Sequence, residues 1–433
     1  MKSLLEKLKE HTAVPYHMPG HKRRAIAKGL PYYIDITEIN GFDNLHDMQG
    51  VLKGIADRAA GIYNSKAAFP LVNGSTCGVL AGIYTLTREN KNILIARNCH
   101  KSVYNAVEIL DLNPTYLMPE AEALGIMGKV TPESVQEALA NGDIGAVVIT
   151  SPTYEGIISD IDAIYQVCKE HGAYLFVDAA HGAHFIDEPV SCDMCVMSLH
   201  KTLPSLTQTA LLHVYSDRVD CDTVHHALSI FETSSPSYVL LASIDECLRY
   251  MEENKKDFDA LTDTLTYFYE QSTSLDNMRV LSFDDKSKII ITAADGYCLA
   301  DKLRQHNIEV EMVTNHYVLA MATVADKLND LKVLLRALYE IDKTLPPYQV
   351  DESPKIKIPN RADSAGEGEF LDLSECEGKI SKEYIWAYPP GVPVVAPDEI
   401  IDKDVIEYLK FQKELKSTKG KYPKIYIKKE VLL

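Results

Sequence analysis

Three observations predict an α/β fold, with a mostly parallel sheet and a smaller α/β unit after it. Strands that are apolar throughout alternate with amphipathic helices from about residue 50 to 225, the pattern of a sheet covered on both faces. The texture changes after TSSPSY (Thr233–Tyr238), where a long helical run leads to shorter strands. With 433 residues, 46% hydrophobic and 24% charged, the chain has the composition of a globular protein with room for two or three domains.

The first forty-odd residues combine a short amphipathic helix with a Pro/Gly/His turn, YHMPGHKR. GVLKGIADRAAGIY is predicted helical, AAFPLV a short strand, and GSTCGVLAGIYTLT a helix opening on small polar residues. NILIARN, TYLMP, IGAVVITSP, AYLFVDAAHG, MCVMSLHK and ALLHVY follow as strands. KSVYNAVEIL, TPESVQEALANG and IDAIYQVCKEHG are the helices between them. In the second of these, Thr131 suits the N-cap, Pro132 the first helical position, and Glu133 complements the dipole. A helical run over Val239–Ser274 precedes the strands SKIIITA and YVLAMAT. Pro346–Glu369 is predicted to be a linker or surface loop. A last segment holds AYPPGVPVVAPDE and a charged tail. The expected units are an N-terminal arm (1–45), a large domain (46–238), a small α/β domain (239–345), and a linker with C-terminal segment (346–433).

Net charge is −18, from 44 Lys+Arg against 62 Asp+Glu. This balance predicts no nucleic-acid partner and no attraction to anionic membranes. No run of about 18 apolar residues is present, so no membrane span is expected. The N-terminus lacks an apolar signal core and carries acidic residues, which predicts no export signal. Nine cysteines scattered through apolar runs suggest reduced thiols in a cytoplasmic protein. Cys192 and Cys195 form a CxxC with no second pair, so no metal site is predicted there.

Ligands of such sheets sit at the carboxyl ends of the strands, and four strand ends carry unusual residues. Lys201, in SLHKTLPSLTQTA, is the only formal charge from Met194 to Ser216 with His counted neutral. A lysine in an apolar setting has a depressed pKa and can condense with an aldehyde; the bland alternative is snorkelling. Asp178, in LFVDAAHGAH, is the only carboxylate between Glu170 and Asp187. It could hold a protonated ring nitrogen, join His181 and His184 on a metal, or merely cap a strand end. Asn73-Gly74-Ser75-Thr76 opens a helix and could cradle an anion, or be an N-cap and nothing more. His100, in ARNCHKSVYNA, could stack on a flat ring or cap its helix. A phosphate cradle, a stacking group, a carboxylate and an imine-forming lysine together are the set that pyridoxal 5'-phosphate needs.

The order of these motifs resembles the fold type I pyridoxal-phosphate enzymes. Within them the chain is similar to the Orn/Lys/Arg decarboxylase family. The matching stretches are MPGHKR, DITEINGFDNLH, LVNGSTCG, RNCHKSVYNA, SPTYEG, VDAAHGAHF, SLHKTLPSLTQTA, TSSPSY, VEMVTNHYVLAMAT and AYPPGVPVVAPDE. They span almost the whole chain, which looks like a short form without an extra N-terminal regulatory-type domain. The resemblance implies that residues 46–238 bind the cofactor. It makes Lys201 the imine-forming lysine, Asp178 the partner of the pyridine nitrogen, His100 the stacking ring, and Ala180 the methyl beneath the opposite face. Ser75, Thr76 and Ser198 would bind phosphate, with His200 adjacent, and His181 would lie near the substrate carboxylate. Thr233 and Ser234 would reach the phosphate of a partner subunit, in a homodimer or larger homo-oligomer. One departure is Asp43-Asn44, where the family has an Asp-Asp pair before LH.

The implied reaction is decarboxylation of a basic amino acid, arginine first, with lysine and ornithine close behind, as a step of polyamine biosynthesis. Lys201 or His200 would protonate Cα. Glu367, Glu369 and Asp43 are candidates to receive the distal cation, although no spacing rule selects them. The alternatives are another reaction on the same cofactor, such as aminotransfer or C–S lysis, and a non-catalytic paralogue that acts by binding. Against aminotransfer, the arginines after Arg249 are only Arg279, Arg304, Arg336 and Arg361.

Overall fold

Residues 2–11, 19, 22–23, 29–186, 190–349, 357–387 and 391–429 are described in this computed structural model. Half of MPGHKR and the Tyr388–Pro390 part of YPPG lie outside them. Seven strands form the principal sheet: β1 (Ala67–Leu71), β2 (Asn92–Ala96), β3 (Asn113–Leu117), β4 (Ala146–Thr150), β5 (Tyr174–Asp178), β6 (Met194–Ser198) and β7 (Ala210–Val214). Their order is β1-β7-β6-β5-β4-β2-β3. Neighbours from β6 to β3 are parallel, and β7 runs antiparallel to both β1 and β6. The central strands β5 and β6 are buried along their length, apart from Tyr174, as uninterrupted apolar runs require of a sheet with helices on both faces.

Glycine places one helix close to that sheet. In the helix Gly74–Leu86, a Cβ on Gly82 would stand 2.2 Å from the Phe176 ring, and one on Gly78 2.7 Å from Leu71 Cδ1. The bare faces of these glycines let the helix lie against β5 and β6, the strands that carry Asp178 and lead to Lys201. Gly74 itself adopts φ +74°, a left-handed conformation that a side chain would strain.

The rest of the chain builds two smaller cores. A four-stranded antiparallel sheet holds β8 (Arg279–Leu281), β9 (Lys288–Thr292), β10 (Met312–Val313) and β11 (Tyr317–Met321). The C-terminal segment pairs β12 (Gly368–Asp372) with β16 (Lys424–Lys428), and β13 (Ile385–Ala387) with both β14 (Val392–Val395) and β15 (Leu415–Ser417). The predicted helical run over Val239–Ser274 is two helices, Tyr238–Glu253 and Lys255–Ser272. They are separated at Asn254, whose φ −123° and ψ 37° leave the helical region. The first packs on the main core and the second on the small-domain core. Among the described residues, no helix is long and apolar enough to cross a membrane.

A fully buried ion pair ties the C-terminal segment to the main sheet. Arg97, just beyond β2, donates to Glu399 through Nη1 (2.8 Å) and Nη2 (2.7 Å), and to the Val394 carbonyl at 3.0 Å. The Ala396 N–H also donates to Glu399, at 2.7 Å. Removing one partner of such a pair leaves an uncompensated buried charge. Arg97→Ala is therefore expected to destabilise the protein by about 3–5 kcal/mol, read as a lowered urea midpoint. A shift equivalent to under about 1 kcal/mol, the scale of an exposed pair, would contradict this account.

Candidate active site

A cavity opens at the carboxyl ends of β4, β5 and β6, where the large domain meets the small domain and the C-terminal segment. Six residues singled out in the sequence line it: Ser75, His100, Asp178, Ala180, His181 and Lys201. Thr76, Ser198, His200, Thr233 and Ser234 are not among the lining residues.

Lys201 sits in a single short turn of helix, Leu199–Thr202, directly after β6. Its Nζ is 3.1 Å from His181 Nε2. Burial pushes the Lys201 ammonium below the ordinary lysine range, and the Asp178 charge partly offsets this. A larger share of the amine is therefore unprotonated and nucleophilic at neutral pH than in an exposed lysine. Burial, then Lys201, hold His181 well below the ordinary imidazole range, so it is neutral beside that amine.

Asp178 ends β5 with its side chain 2% exposed. Its Oδ1 accepts the Ala180 N–H at 3.1 Å, which fixes the carboxylate at the cavity wall. The i, i+3, i+6 spacing of Asp178, His181 and His184 does not converge on a metal. These residues run through a turn, and each side chain has its own neighbour: the Ala180 N–H, Lys201, and, for His184, Asp285 at 3.2 Å.

His100 caps its helix, and it also lines the cavity. It is the N-cap of the helix Lys101–Leu110, its Nδ1 accepting the Ser102 N–H at 3.2 Å. Accepting at Nδ1 places the proton of the neutral ring on Nε2. Burial lowers its pKa, opposed by Asp178, so the ring is an uncharged plate at neutral pH.

Asn73 does not cap the helix Gly74–Leu86 with its side chain; its Oδ1 accepts the Thr233 N–H of the same chain at 3.4 Å. The Gly74 N–H donates to the Gln208 carbonyl at 2.8 Å; the first-turn N–H groups after it are left for another acceptor, with Ser75 among them. Thr76 and Ser234 are exposed, and Thr233 is partly buried. His200 is one residue from Lys201, but successive helical residues point about 100° apart. Its Nδ1 donates to the Thr209 carbonyl at 3.0 Å.

The fit of pyridoxal phosphate can be tested on these atoms. Ser198 Oγ is fully buried and makes no hydrogen bond among the described residues, an orphan that costs roughly 1–3 kcal/mol unless a ligand oxygen meets it. The uncapped helix start offers donors to the same kind of group. A neutral ring, a small methyl, a buried carboxylate and a poised amine complete the set, and the residues fit the cofactor.

Sequence reasoning missed part of the wall. Glu155 and Tyr154, just after β4, line the cavity together with Tyr317 of the small domain and Phe411 of the C-terminal segment. Glu155 lies inside SPTYEG; a lone carboxylate past a strand end was the available signal. The candidates for a distal cation lie elsewhere. Asp43 accepts the N–H groups of Gly50 and Leu52 at 2.7 and 2.8 Å, and so serves the helix Val51–Ile62. Glu367 faces Lys429 at 3.6 Å, and Glu369 lies in β12.

Comparison with known proteins bears on the family and the fold. The chain is 33% identical to the uncharacterized protein YaaO of Bacillus subtilis, over 91% of this chain and 90% of that one. It is 30% identical to the arginine decarboxylase of Bacillus subtilis, over 93% and 91% of the two chains. The lysine decarboxylase LdcF of Francisella novicida superposes with a TM-score of 0.83 at 19% identity, covering 98% of this chain and 80% of that one, and places the fold among the fold type I enzymes. The model of the Orn/Lys/Arg decarboxylase major domain matches residues 1–289, and that of the C-terminal domain matches residues 354–423. The chain therefore belongs to the Orn/Lys/Arg decarboxylase family.

Proposed function

We propose that this protein is a pyridoxal-phosphate-dependent carboxy-lyase that converts a basic amino acid to its amine, with arginine the favoured substrate and agmatine the product. The observation that carries this reading is the meeting of Lys201, Asp178 and His100 on one cavity in a member of this family. When bound, the cofactor supplies an electron-accepting ring for the pair left at Cα as carbon dioxide departs. Lys201 would hold its aldehyde carbon, Asp178 its ring nitrogen, and His100 and Ala180 its two faces. Ser75, Ser198 and the first-turn N–H groups would hold its phosphate. The Asp178 carboxylate would keep a proton on that nitrogen, a preorganised charge in a buried site. Lys201, 3.1 Å from His181, would return a proton to Cα; that it lines the cavity and His200 does not supports this choice.

Decarboxylation is favoured over aminotransfer because, among the described residues, no arginine lines the cavity to hold a substrate carboxylate in the ring plane. A cytoplasmic homodimer acting in polyamine biosynthesis completes the proposal. Ser234 is exposed near the uncapped helix start, where a partner's phosphate site could meet it.

The test is to incubate the cofactor-loaded protein separately with arginine, lysine and ornithine, without a keto-acid acceptor, and to identify the gas and amine released. Carbon dioxide with agmatine, cadaverine or putrescine is expected, agmatine fastest. Absence of carbon dioxide from all three would end the reading.

A further inference from the structure

The cavity wall holds a second carboxylate that the proposed chemistry at Cα does not use. Of the described residues lining the cavity only Asp178 and Glu155 are acidic, and the proposed function assigns Asp178 to the ring nitrogen. Glu155 is 8% exposed. Its Oε1 accepts the Tyr317 hydroxyl at 3.0 Å, across the junction between the large and small domains. Burial pushes its carboxyl above the ordinary range, opposed by the Tyr317 hydroxyl, and a cation bound beside it would favour the charged form. The surfaces beside it are aromatic: Tyr154 packs on His181 with centroids 4.4 Å apart, and His316 stacks on Phe411 at 5.7 Å and 28°. A buried carboxylate among aromatic faces is the environment that attracts an organic cation, and a flat, weakly hydrated guanidinium more than a compact ammonium.

We infer that Glu155 is the carboxylate that receives the distal cation of the amino-acid substrate, with Tyr317 as the hydroxyl that holds it in position. This assignment deepens the decarboxylation reading and rests on it for the identity of the ligand. It makes Glu155 a specificity-determining residue. The cation compensates the buried negative charge, and a neutral side chain of the same length leaves that charge unmet.

The experiment uses the cofactor-loaded protein and Glu155→Gln, and follows the absorbance of the bound cofactor during titration with arginine and with citrulline, its neutral isostere. Glu155→Gln is expected to weaken arginine binding on the order of 10²-fold and to leave citrulline binding within about threefold. Glu155→Asp, which keeps the charge, is expected to recover part of the loss. Where turnover is measured, the loss falls on KM and leaves kcat within a few-fold. Equal loss for arginine and citrulline, or equal damage from Gln and Asp, would overturn the assignment and make Glu155 a domain clamp. The titration reads Glu155 whether or not carbon dioxide is released, so this inference and the decarboxylation reading fail separately.

Discussion

Lys201→Ala is expected to lose the visible absorbance of the bound cofactor and to release no carbon dioxide above background from arginine, lysine or ornithine. The expectation rests on the amine being irreplaceable where it stands. Lys201 is the only lysine among the described residues lining the cavity, and His181, 3.1 Å away, cannot condense with an aldehyde to an imine. Lys288 is fully buried nearby, but its Nζ lies 3.8 Å from Asp285 and it does not line the cavity. Removing an amine that burial already disfavours should cost the fold little, so the variant should remain soluble and cooperatively folded. Retained turnover in this folded variant would refute the role of Lys201.

Asp178→Asn is the complementary experiment, because it removes charge and keeps shape. The asparagine carbonyl can still accept the Ala180 N–H now bound at 3.1 Å, and the side chain stays within the same buried wall. What is lost is the negative charge that, in the proposed reading, would hold a proton on the ring nitrogen. Preorganised electrostatics of this kind is usually the largest single contribution to rate. A drop in kcat on the order of 10³-fold or more is expected, equivalent to about 4 kcal/mol, with the cofactor still bound. Steady-state release of carbon dioxide measures it. A loss below tenfold would mean that the carboxylate does not serve the ring.

Much of this site was legible because its parts lie at strand ends. Apolar runs marked β4, β5 and β6, and a charged residue at the end of such a run stands out against its neighbours, as Asp178 and Lys201 do. His100 was legible for the same reason, at the junction after β2. What stayed hidden depends on contacts between distant segments. The Glu155–Tyr317 bond joins residues 162 positions apart, and no local spacing announces it. Asp43, Glu367 and Glu369 do not line the cavity; their partners are backbone N–H groups, a lysine and a strand register. His200 is adjacent to Lys201 in sequence yet does not line the cavity either, since one residue along a helical turn changes the direction of a side chain. The division at Asn254 was hidden because helical periodicity continues on both sides of it.

The Arg97–Glu399 pair has a consequence for how the protein comes into being. The two residues are separated by 302 positions, and Val394, whose carbonyl shares the guanidinium, also lines the cavity. On the ribosome the principal sheet emerges long before its counter-charge. Until Glu399 has been translated, Arg97 lacks its counter-charge and the Val394 side of the chamber is missing. The nascent sheet therefore carries its lysine and aspartate in an unfinished pocket, and the enclosure arrives with a segment translated 302 positions after the arginine.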